Sequence, residues 1–576
     1  MAKRCAWVFL IVWGLFSVGA GAQVLGGPPQ RFVVVAFHDV QDRAEDLDHD
    51  AVTTDRLVAF FDHLRGDGWN PVSLQDISDA RRGLKPLPSK AILITFDDGY
   101  SSLYSRVFPL VLAYRIPVVA ALVGEWMKYP PGALVPYAGR TKPREFFIDW
   151  AQAREMDASG LVEFASHSHN LHRELLINPQ GNLAPAMLSL SFNPATGLYE
   201  TQDQFRQRLL NDLRANEALM FQELGKKPRA MIWPYGRYNQ TAVEVLAQAG
   251  YEFALTLNAE PGHLQRPLAI GRYWPTGNLS VSEMVNELQF AEFLPRARRM
   301  VRIDPGQWWN ESAEAFDQRM GAAIELLRKQ AITDVVIEGL HREPVSGRWS
   351  AWFPTRALPL RADVLSRIAW QLRTRAGVRT SVDLFFPDMA THLPEADIKQ
   401  LHHDLGWQVP TDGLFLSMRS SAVTTAQGSK EALAPWASVQ GAERKSMLAG
   451  ELQAARHLLS AQELKAEERL ALESFRAVEH SRPGLHWLIH TSLEHPAPLA
   501  KWADLVLIDL NPSPTDVRAS MPALLKVTGV HDPMTRRRTG FWINAPQALT
   551  EIQRTALVRQ LQAAGVAVMG GNFLGY

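Results

Sequence analysis

The chain has 576 residues, too many for a single hydrophobic core, because domains usually hold about 100–250 residues. Hydrophobic residues make up 46% of it and charged residues 21%, which excludes a disordered or fibrous protein. Lys and Arg number 60 and so do Asp and Glu, so the chain lacks the basic surplus that a nucleic-acid partner would call for.

The N-terminus has the pattern of a secretory signal peptide. Lys3 and Arg4 precede an apolar stretch at residues 6–18, and small residues lead to a predicted cleavage site after Ala22. Cys5, the only cysteine, lies ahead of the apolar stretch, so it cannot be the lipidated first residue of a mature lipoprotein. We therefore expect a periplasmic or secreted protein with no disulfide and no transmembrane segment after cleavage. An uncleaved membrane anchor is the alternative.

Two apolar stretches near the N-terminus end in polar groups. Residues 31–37 form a β-branched run followed by His38, the profile of a buried parallel strand that delivers polar side chains at its C-terminal end. A second run, residues 91–94, leads to the adjacent acids Asp97 and Asp98. Two neighbouring carboxylates at a buried strand end repel each other and lose solvation, and a divalent metal relieves both costs.

Histidines follow a third stretch, residues 161–165. Asp98, His167 and His172 together supply one carboxylate and two imidazoles, and three protein ligands leave a metal with an open position for water and substrate. This donor set favours zinc and also admits cobalt, nickel or iron. His169 is interpreted as a loop or substrate-facing residue. An isolated Asp-Asp-Gly is a common turn, so the prediction depends on the combination.

The first half of the chain alternates strand and helix patterns, which predicts a parallel, barrel-like sheet with functional residues at its C-terminal strand ends. Residues 178–199, rich in Asn, Pro and Gly, are interpreted as a loop over the site. The predicted helices cover residues 55–65 and 204–224, and further candidate strands cover residues 118–123, 253–257 and 268–272.

The second half of the chain predicts a (β/α)8 barrel of the TIM type, because helical segments separate most of eight strand-like runs. Acids lie at several of the strand ends and form a candidate groove: Asp304, Glu338, Asp383 and Asp509. The eight runs are residues 300–303, 334–338, 380–386, 413–416, 486–489, 505–509, 540–544 and 566–569.

Three motifs carry a family resemblance. Residues 95–99, Thr-Phe-Asp-Asp-Gly, the spacing from His167 to His172, and residues 233–236, Trp-Pro-Tyr-Gly, resemble polysaccharide deacetylases of the NodB-homology type, carbohydrate esterase family 4. The match is to the branch that deacetylates poly-β-1,6-N-acetyl-D-glucosamine. Residues 352–373 are similar to the C-terminal domain of the same branch. The resemblance implies an N-terminal NodB-type deformed (β/α) barrel followed by a TIM-like barrel.

The resemblance also implies roles for individual residues. Asp97 is the expected catalytic base, and His38 is the expected general acid, as in permuted members of the family. The backbone N–H of Tyr235 is expected to stabilise the oxyanion. Trp233 is expected either to contact substrate or to pack in the core. Relatives have an Arg two residues before the proline, where this chain has Ile232, so the partner that orients Asp97 is left open.

We predict a signal peptide at residues 1–22, a deacetylase domain at 23–290, a linker at 291–299 and a glycoside-hydrolase-like barrel at 300–576. After the strand at 413–416, relatives place an acidic motif where this chain has Ser-Met-Arg, so we expect the barrel to bind polymer without efficient cleavage. The expected partners are an N-acetylglucosamine polymer and outer-membrane export proteins. The alternatives are a deacetylase for chitin or peptidoglycan and a non-catalytic polysaccharide-binding protein.

Overall fold

The computed structural model describes residues 31–43, 50–137, 139–288, 298–309, 312–418, 464–491, 499, 502–510, 538–543, 559, 561–562 and 566–571. The predicted signal peptide and its Cys5 lie outside the described residues, as do residues 291–297 of the predicted linker and Arg419. Within the described part, no helix is both long and apolar enough to cross a membrane.

We call residues 31–288 the first domain. Its strands are β1 (Arg31–Phe37), β2 (Val40–Gln41), β3 (Val52–Thr53), β4 (Asn70–Pro71), β5 (Ala91–Phe96), β6 (Val118–Leu122), β7 (Leu134–Tyr137), β8 (Arg140–Pro143), β9 (Val162–Ser166), β10 (Glu174–Leu176), β11 (Leu183–Pro185), β12 (Phe192–Asn193), β13 (Leu198–Tyr199), β14 (Ala230–Ile232), β15 (Phe253–Leu255) and β16 (Gly262–His263). Its helices are α1 (Thr54–Gly66), α2 (Leu74–Arg81), α3 (Phe108–Tyr114), α4 (Gly124–Lys128), α5 (Trp150–Ala158), α6 (Gln202–Leu224), α7 (Gln240–Gln248) and α8 (Val281–Leu288).

One curled sheet organises the first domain. Its strand order is β15-β14-β9-β6-β5-β1-β16, with β4 also paired to β5. The pairs are parallel except for β1 with β16. Bridges from Leu255 to Ile270 and from Val35 to Tyr273 join residues 270–273 to both β15 and β1. This segment therefore completes the deformed barrel that the sequence predicts, although it forms isolated bridges and not the regular strand expected at 268–272.

Local sequence explains these elements. All six residues of β5 and all five of β6 are buried, as parallel strands covered on both faces require. The Thr53 side chain accepts a hydrogen bond from the backbone of Arg56 at the start of α1. Thr201 and Gln204 form a reciprocal capping box at the start of α6. Both predicted long helices are confirmed, each beginning one or two residues earlier than expected.

We call residues 298–571 the second barrel. Its strands are β17 (Arg298–Ile303), β18 (Asp334–Glu338), β19 (Leu340–Arg342), β20 (Trp349–Ala351), β21 (Arg379–Asp383), β22 (Gly413–Ser417), β23 (His486–Thr491), β24 (Leu505–Leu510), β25 (Thr539–Ile543) and β26 (Val568–Gly571). Its described helices are α9 (Ala313–Lys329), α10 (Leu365–Gln371), α11 (Phe386–His392), α12 (Glu395–Gln408) and α13 (Ala466–Ser481).

The second barrel is closed and parallel. Its order is β17-β18-β21-β22-β23-β24-β25-β26, and pairing of Arg298 with Val568 closes the ring. Each of the eight predicted runs overlaps one of these strands, so the TIM-like prediction is confirmed. The run expected at 380–386 ends earlier, because β21 stops at Asp383 and α11 begins at Phe386. Bulky side chains such as Phe415 and Trp542 fill the interior.

An aromatic contact joins the two domains. Trp407 of α12 belongs to a buried cluster of first-domain side chains, and its ring lies edge-on to Phe205 of α6 with centroids 5.3 Å apart. Phe205 is fully buried. Because aromatic rings bury large apolar areas, this contact stabilises the interface as well as each domain.

The segment at residues 178–199 strengthens the same interface. It contains β11, which pairs with the preceding strand β10, and the hairpin β12–β13. The Tyr199 hydroxyl donates to Asp363 Oδ2 at 2.5 Å, and Asn178 donates to Ser366 Oγ at 3.2 Å. The segment predicted as a loop over the site therefore also holds the second barrel.

Two phenylalanines of α6 provide a matched test of the interface. We expect Phe205→Ala to lower the free energy of unfolding by about 3–5 kcal/mol, because it leaves a cavity beside Trp407. Phe221→Ala makes the same change on the same helix at a side chain that is 56% exposed, and should cost less than about 1 kcal/mol. Urea unfolding measures both. Equal losses would show that the contact with Trp407 contributes nothing to the interface.

Candidate active site

Polar residues follow four strands at one edge of the first-domain sheet. His38 follows β1, Asp97 and Asp98 follow β5, His167 follows β9, and Tyr235 follows β14. These strands run parallel, so their C-terminal ends meet at the same edge. The topology thus gathers in space residues that are far apart in sequence.

Asp98, His167 and His172 form a compact cluster. Asp98 Oδ1 lies 3.3 Å from His167 Nε2 and 3.4 Å from His172 Nε2. One ligand atom from each residue falls within 4.8 Å of the others. His167 Nδ1 lies 2.7 Å from the carbonyl oxygen of Ile232, which fixes the ring with Nδ1 as donor and leaves the Nε2 lone pair facing the cluster.

Burial and charge set the protonation of this cluster. Burial alone would raise the pKa of Asp98, but the two neighbouring imidazoles hold it well below its usual range. Burial lowers the pKa of His172 to about 4. Burial also opposes protonation of His167, although the hydrogen bond to Asp98 raises its pKa above the ordinary value. An ionised carboxylate beside imidazole lone pairs fits a divalent cation, which would displace the shared proton.

Aromatic residues support the cluster. The Tyr137 hydroxyl donates to Asp98 Oδ2 at 3.0 Å and also bonds to the Tyr100 hydroxyl. The rings of Trp126 and Tyr235 lie against the His172 ring, with centroids 4.9 and 4.4 Å away. These contacts restrict the His172 ring, as partners around a metal ligand usually do.

His169 is turned to another partner. Its Nε2 lies 3.3 Å from Glu125 Oε2. The backbone N–H groups of His169 and Asn170 both donate to the Asp212 carboxylate at 2.7 Å. Asp212 of α6 therefore pins the loop that carries the two cluster histidines, and His169 is not part of the cluster.

Asp97 is held by an arginine. Arg272 Nη1 and Nη2 donate to the two carboxylate oxygens of Asp97 at 2.7 and 2.8 Å, a bidentate pair. Arg272 is fully buried and also donates to Thr95 Oγ1 and to the carbonyl oxygen of Thr256. Burial raises the pKa of Asp97, but the Arg272 charge outweighs it and keeps the pKa below its usual range. Asp97 is therefore an ionised acceptor at neutral pH.

His38 lies beside Asp97. Its Nε2 is 3.9 Å from Asp97 Oδ2, and its ring lies 5.3 Å from the Trp274 ring. The neighbouring Asp39 is occupied elsewhere, because its Oδ1 accepts from Ser102 Oγ at 2.6 Å and from the Val40 N–H at 2.9 Å. His38 is thus the histidine that faces the Asp97 carboxylate from β1.

Three non-glycine residues at this edge have left-handed backbones. Asp98, Ser168 and Tyr235 have φ values of 70°, 71° and 58°. Such conformations cost about 1–3 kcal/mol each and persist where surrounding contacts enforce them, often at functional sites. They follow β5, β9 and β14, three strands whose ends carry the cluster and its neighbours.

Of the two roles expected for Trp233, substrate contact and core packing, the structure supports core packing. Its side chain is 1% exposed and packs in a core cluster. Its ring stacks on Tyr238 with centroids 5.3 Å apart and planes 11° apart. A side chain without surface cannot form a sugar platform, so Trp233 positions the turn that carries Tyr235 and does not itself touch substrate.

The candidate groove of the second barrel centres on Arg302. Its Nη1 lies 2.6 Å from Asp383 Oδ2 and 3.7 Å from Glu338 Oε1. Burial raises the pKa of Glu338 to about 7, and the charges of Asp304 and Asp383 add to the shift. Asp509 pairs with His490 at 2.7 Å. Arg302 thus contacts Glu338 and Asp383 at the C-terminal ends of the neighbouring strands β18 and β21.

Sequence reasoning missed two supporting residues. Arg272 is 175 residues from Asp97, and its only sequence signal is a charge at the end of the candidate strand 268–272. Tyr137 comes from the hairpin strand β7, which no motif marks. Arg272 binds Asp97, and Tyr137 binds the adjacent Asp98.

Two family models match the chain. Residues 84–254 match the polysaccharide deacetylase model, and residues 303–427 match the model of hypothetical glycosyl hydrolase family 13. The first match contains Asp97, Asp98 and both cluster histidines, but begins after His38 and ends before Arg272.

Several known proteins are similar to this chain. Poly-beta-1,6-N-acetyl-D-glucosamine N-deacetylase from Escherichia coli O157:H7 is 35% identical over 353 residues, which are 61% of this chain and 52% of that protein. The chain spans about half the length of the curated relatives it matches. A solved de-N-acetylase from Aggregatibacter actinomycetemcomitans is 34% identical and is covered in full by 45% of this chain, with a TM-score of 0.43. The deacetylase domain of BpsB from Bordetella bronchiseptica is 39% identical over 43% of this chain and 97% of that domain, with a TM-score of 0.39.

The Asp97–Arg272 pair yields a stability prediction. Arg272→Met leaves a buried carboxylate without its partner and should lower the free energy of unfolding by about 3–5 kcal/mol near neutral pH. The double variant with Asp97→Asn should recover part of this loss, because no charge is then stranded. Urea unfolding of the metal-free protein measures the cycle. If the double variant lost as much free energy of unfolding as the two single variants lose together, the pairing of Asp97 with Arg272 would be contradicted.

The same variant should show a pH dependence of known sign. In the parent protein the pKa of Asp97 is lowered on folding, so ionised Asp97 favours the folded state and that contribution is lost as pH falls. In Arg272→Met burial dominates and raises that pKa, so ionisation opposes folding. The stability gap between parent and variant should therefore widen from about pH 4 to about pH 7.

Proposed function

We propose, from the premise that the chain belongs to the polysaccharide deacetylase family, that it is a metal-dependent N-deacetylase of poly-β-1,6-N-acetyl-D-glucosamine. It would remove acetyl groups from this biofilm polymer during export. The observation that carries the proposal is the cluster of Asp98, His167 and His172 beside an ionised Asp97. The name of the Escherichia coli relative supports the choice of polymer.

Asp98, His167 and His172 would hold the metal ion. One carboxylate and two imidazoles are hydrolytic-zinc donors, so we propose zinc as the ion, with cobalt, nickel and iron as alternatives. When bound there, a divalent ion supplies Lewis acidity toward an amide carbonyl and lowers the pKa of a water molecule.

The remaining residues handle protons and charge. Asp97, kept ionised by Arg272, accepts the proton of the attacking water. His38 then gives a proton to the departing amine, a role supported by its position beside Asp97. The backbone N–H at Tyr235 would face the developing oxyanion, a contribution of about 3 kcal/mol when such a donor is preorganised. Acetate and a free amine are the products.

The choice of polymer distinguishes this proposal from its alternatives. A deacetylase for chitin or peptidoglycan would use the same cluster on a different glycan. A purely binding protein would not need Asp97 to be ionised beside three metal-ligating side chains. Release of acetate from synthetic β-1,6-linked oligomers, compared with β-1,4-linked oligomers of the same length, separates the three functions.

We also propose a periplasmic location, supported by the charged and apolar pattern of residues 3–18. Outer-membrane export proteins are the proposed partners. The second barrel would bind the polymer without cutting it efficiently. This is supported by Ser417 and Met418, which follow the predicted run at residues 413–416 where relatives place an acidic motif, and by the engagement of Asp383 with Arg302 and of Asp509 with His490.

The metal assignment can be tested within one loop. His172→Ala should lose bound zinc and acetate release, because three ligands supply nearly all the affinity. His169→Ala removes the same side chain three residues earlier and should keep the metal, since His169 pairs with Glu125. Metal content by mass spectrometry and acetate release measure both. Full zinc occupancy in His172→Ala would overturn the ligand assignment.

A second pair of variants separates base from ligand. Asp97→Asn should retain metal but lose rate by about 10²–10⁴-fold, the usual range for a general acid or base. Asp98→Asn should lose metal and rate together. Loss of metal from Asp97→Asn, with full occupancy in Asp98→Asn, would exchange the two roles.

The second barrel can be tested in the full-length Asp97→Asn protein, in which deacetylation should be slower by about 10²–10⁴-fold. Incubated with partly deacetylated polymer, it should bind the polymer and release no shorter oligomers over long times, as judged by mass spectrometry. Discrete shorter products that disappear with Glu338→Gln but persist with Glu343→Gln, a change at an acid outside the groove, would show that the barrel is a glycosidase.

A further inference from the structure

A cleft of about 210 Å³ lies between the two domains. One wall is the turn after β14, including Arg237 and Tyr238. The other wall comes from the amino ends of barrel strands, with Arg379 at the start of β21 and His486 at the start of β23. Because the barrel strands are parallel, this is the end opposite the acids of the candidate groove.

The charges that line this cleft are unbalanced. Four guanidinium groups and a single carboxylate line it. The charged or titratable residues of the lining are Arg237, Arg373, Arg379, Arg482, Asp412 and His486. Arg379 is partly neutralised by Asp334 at 3.3 Å. Burial and the nearby arginines lower the pKa of His486, which keeps that ring neutral.

The one carboxylate is already engaged. Asp412 Oδ2 accepts hydrogen bonds from the backbone N–H and the hydroxyl of Thr380, at 2.9 and 3.2 Å. Its nearest guanidinium contact is with Arg373, at 3.9 Å. One carboxylate carries one negative charge, so Asp412 cannot neutralise four arginines.

Arg482 is the least satisfied of these groups. It is 8% exposed, and among the described residues its Nε has no hydrogen-bond partner and its guanidinium no carboxylate partner. Within the described part of the chain, the guanidinium makes one hydrogen bond, from Nη2 to the carbonyl oxygen of Trp407 at 3.5 Å. Burial, with the charges of Arg373 and Arg237, lowers its pKa to about 9. A buried guanidinium without a partner is costly, so the site is built for something that supplies negative charge.

We propose that this cleft binds a phosphate-type oxyanion, either free or as a phosphate ester, between Arg237 of the first domain and Arg373 and Arg482 of the second barrel. The planar guanidinium fork matches the oxygens of such an anion. The excess of positive charge favours a dianion over a monovalent carboxylate. The same excess disfavours a deacetylated, cationic polymer, so the cleft is distinct in chemistry from any polymer groove.

Calorimetric titration of the full-length protein with inorganic phosphate tests the proposal. At constant ionic strength, phosphate should bind with saturation, sulfate should compete with it, and acetate should not. Arg237→Gln and Arg373→Gln, one from each domain, should each weaken binding at least about tenfold, because each removes a charge-assisted contact.

Arg375→Gln is the matched control, because it lies two residues from Arg373 on the same turn but outside the cleft, bonded to Gln371. It should change the phosphate dissociation constant less than about twofold. The proposal is overturned if phosphate binds no better than acetate, or if Arg375→Gln weakens binding as much as Arg373→Gln.

A second experiment distinguishes a lipid headgroup from a free phosphate or phosphate ester as the source of the anion. Phosphatidylglycerol vesicles, compared with phosphatidylcholine vesicles, should co-sediment the protein in an Arg373-dependent manner if the ligand is a lipid headgroup. If the vesicles do not and glycerol 3-phosphate competes with inorganic phosphate, the ligand is a free phosphate or phosphate ester. Either result supports the oxyanion site, and binding of none of these phosphates overturns it.

Discussion

Two adjacent carboxylates buried at one strand end are the constraint on which this structure depends. Asp97 and Asp98 are 2% and 4% exposed, and neither can stay ionised there without its own compensation. The left-handed backbone at Asp98 sends the two side chains to different partners. Arg272 compensates one, and the two imidazoles, together with the proposed metal, compensate the other. The proposed base and the proposed metal site can therefore occupy neighbouring residues.

The same constraint links catalysis to the fold. Arg272 belongs to the segment that bridges β15 and β1, so closing the curled sheet also delivers the charge that Asp97 requires. The second barrel is tied to this domain through Trp407 and the segment at residues 178–199. Its strand-end acids and the arginine cleft lie at opposite ends of the barrel, which separates a face suited to a cationic polymer from one suited to an anion.

Local patterns predicted the elements well, because apolar runs and caps act within a few residues. The barrel strands and the Asp98–His167–His172 cluster could both be predicted from such local patterns, because polar residues at the C-terminal ends of neighbouring parallel strands lie at the same edge of the sheet. The role of Trp233 was left open because a strand-end aromatic can face either the core or solvent, and only the stacking on Tyr238 decides between them. The pairing of Arg272 with Asp97 was not predicted, because two residues 175 positions apart leave no local pattern in the sequence.

X-ray absorption spectroscopy of the zinc-loaded, full-length protein tests the central claim most directly. The account predicts a zinc shell with two imidazole nitrogens at ~2.0–2.1 Å, completed by oxygen ligands from Asp98 and solvent. The imidazole scattering should fall to one ring in a His167→Ala protein that is reloaded at high zinc concentration. A parent spectrum with no imidazole scattering, or one unchanged by His167→Ala, would contradict the proposed metal centre.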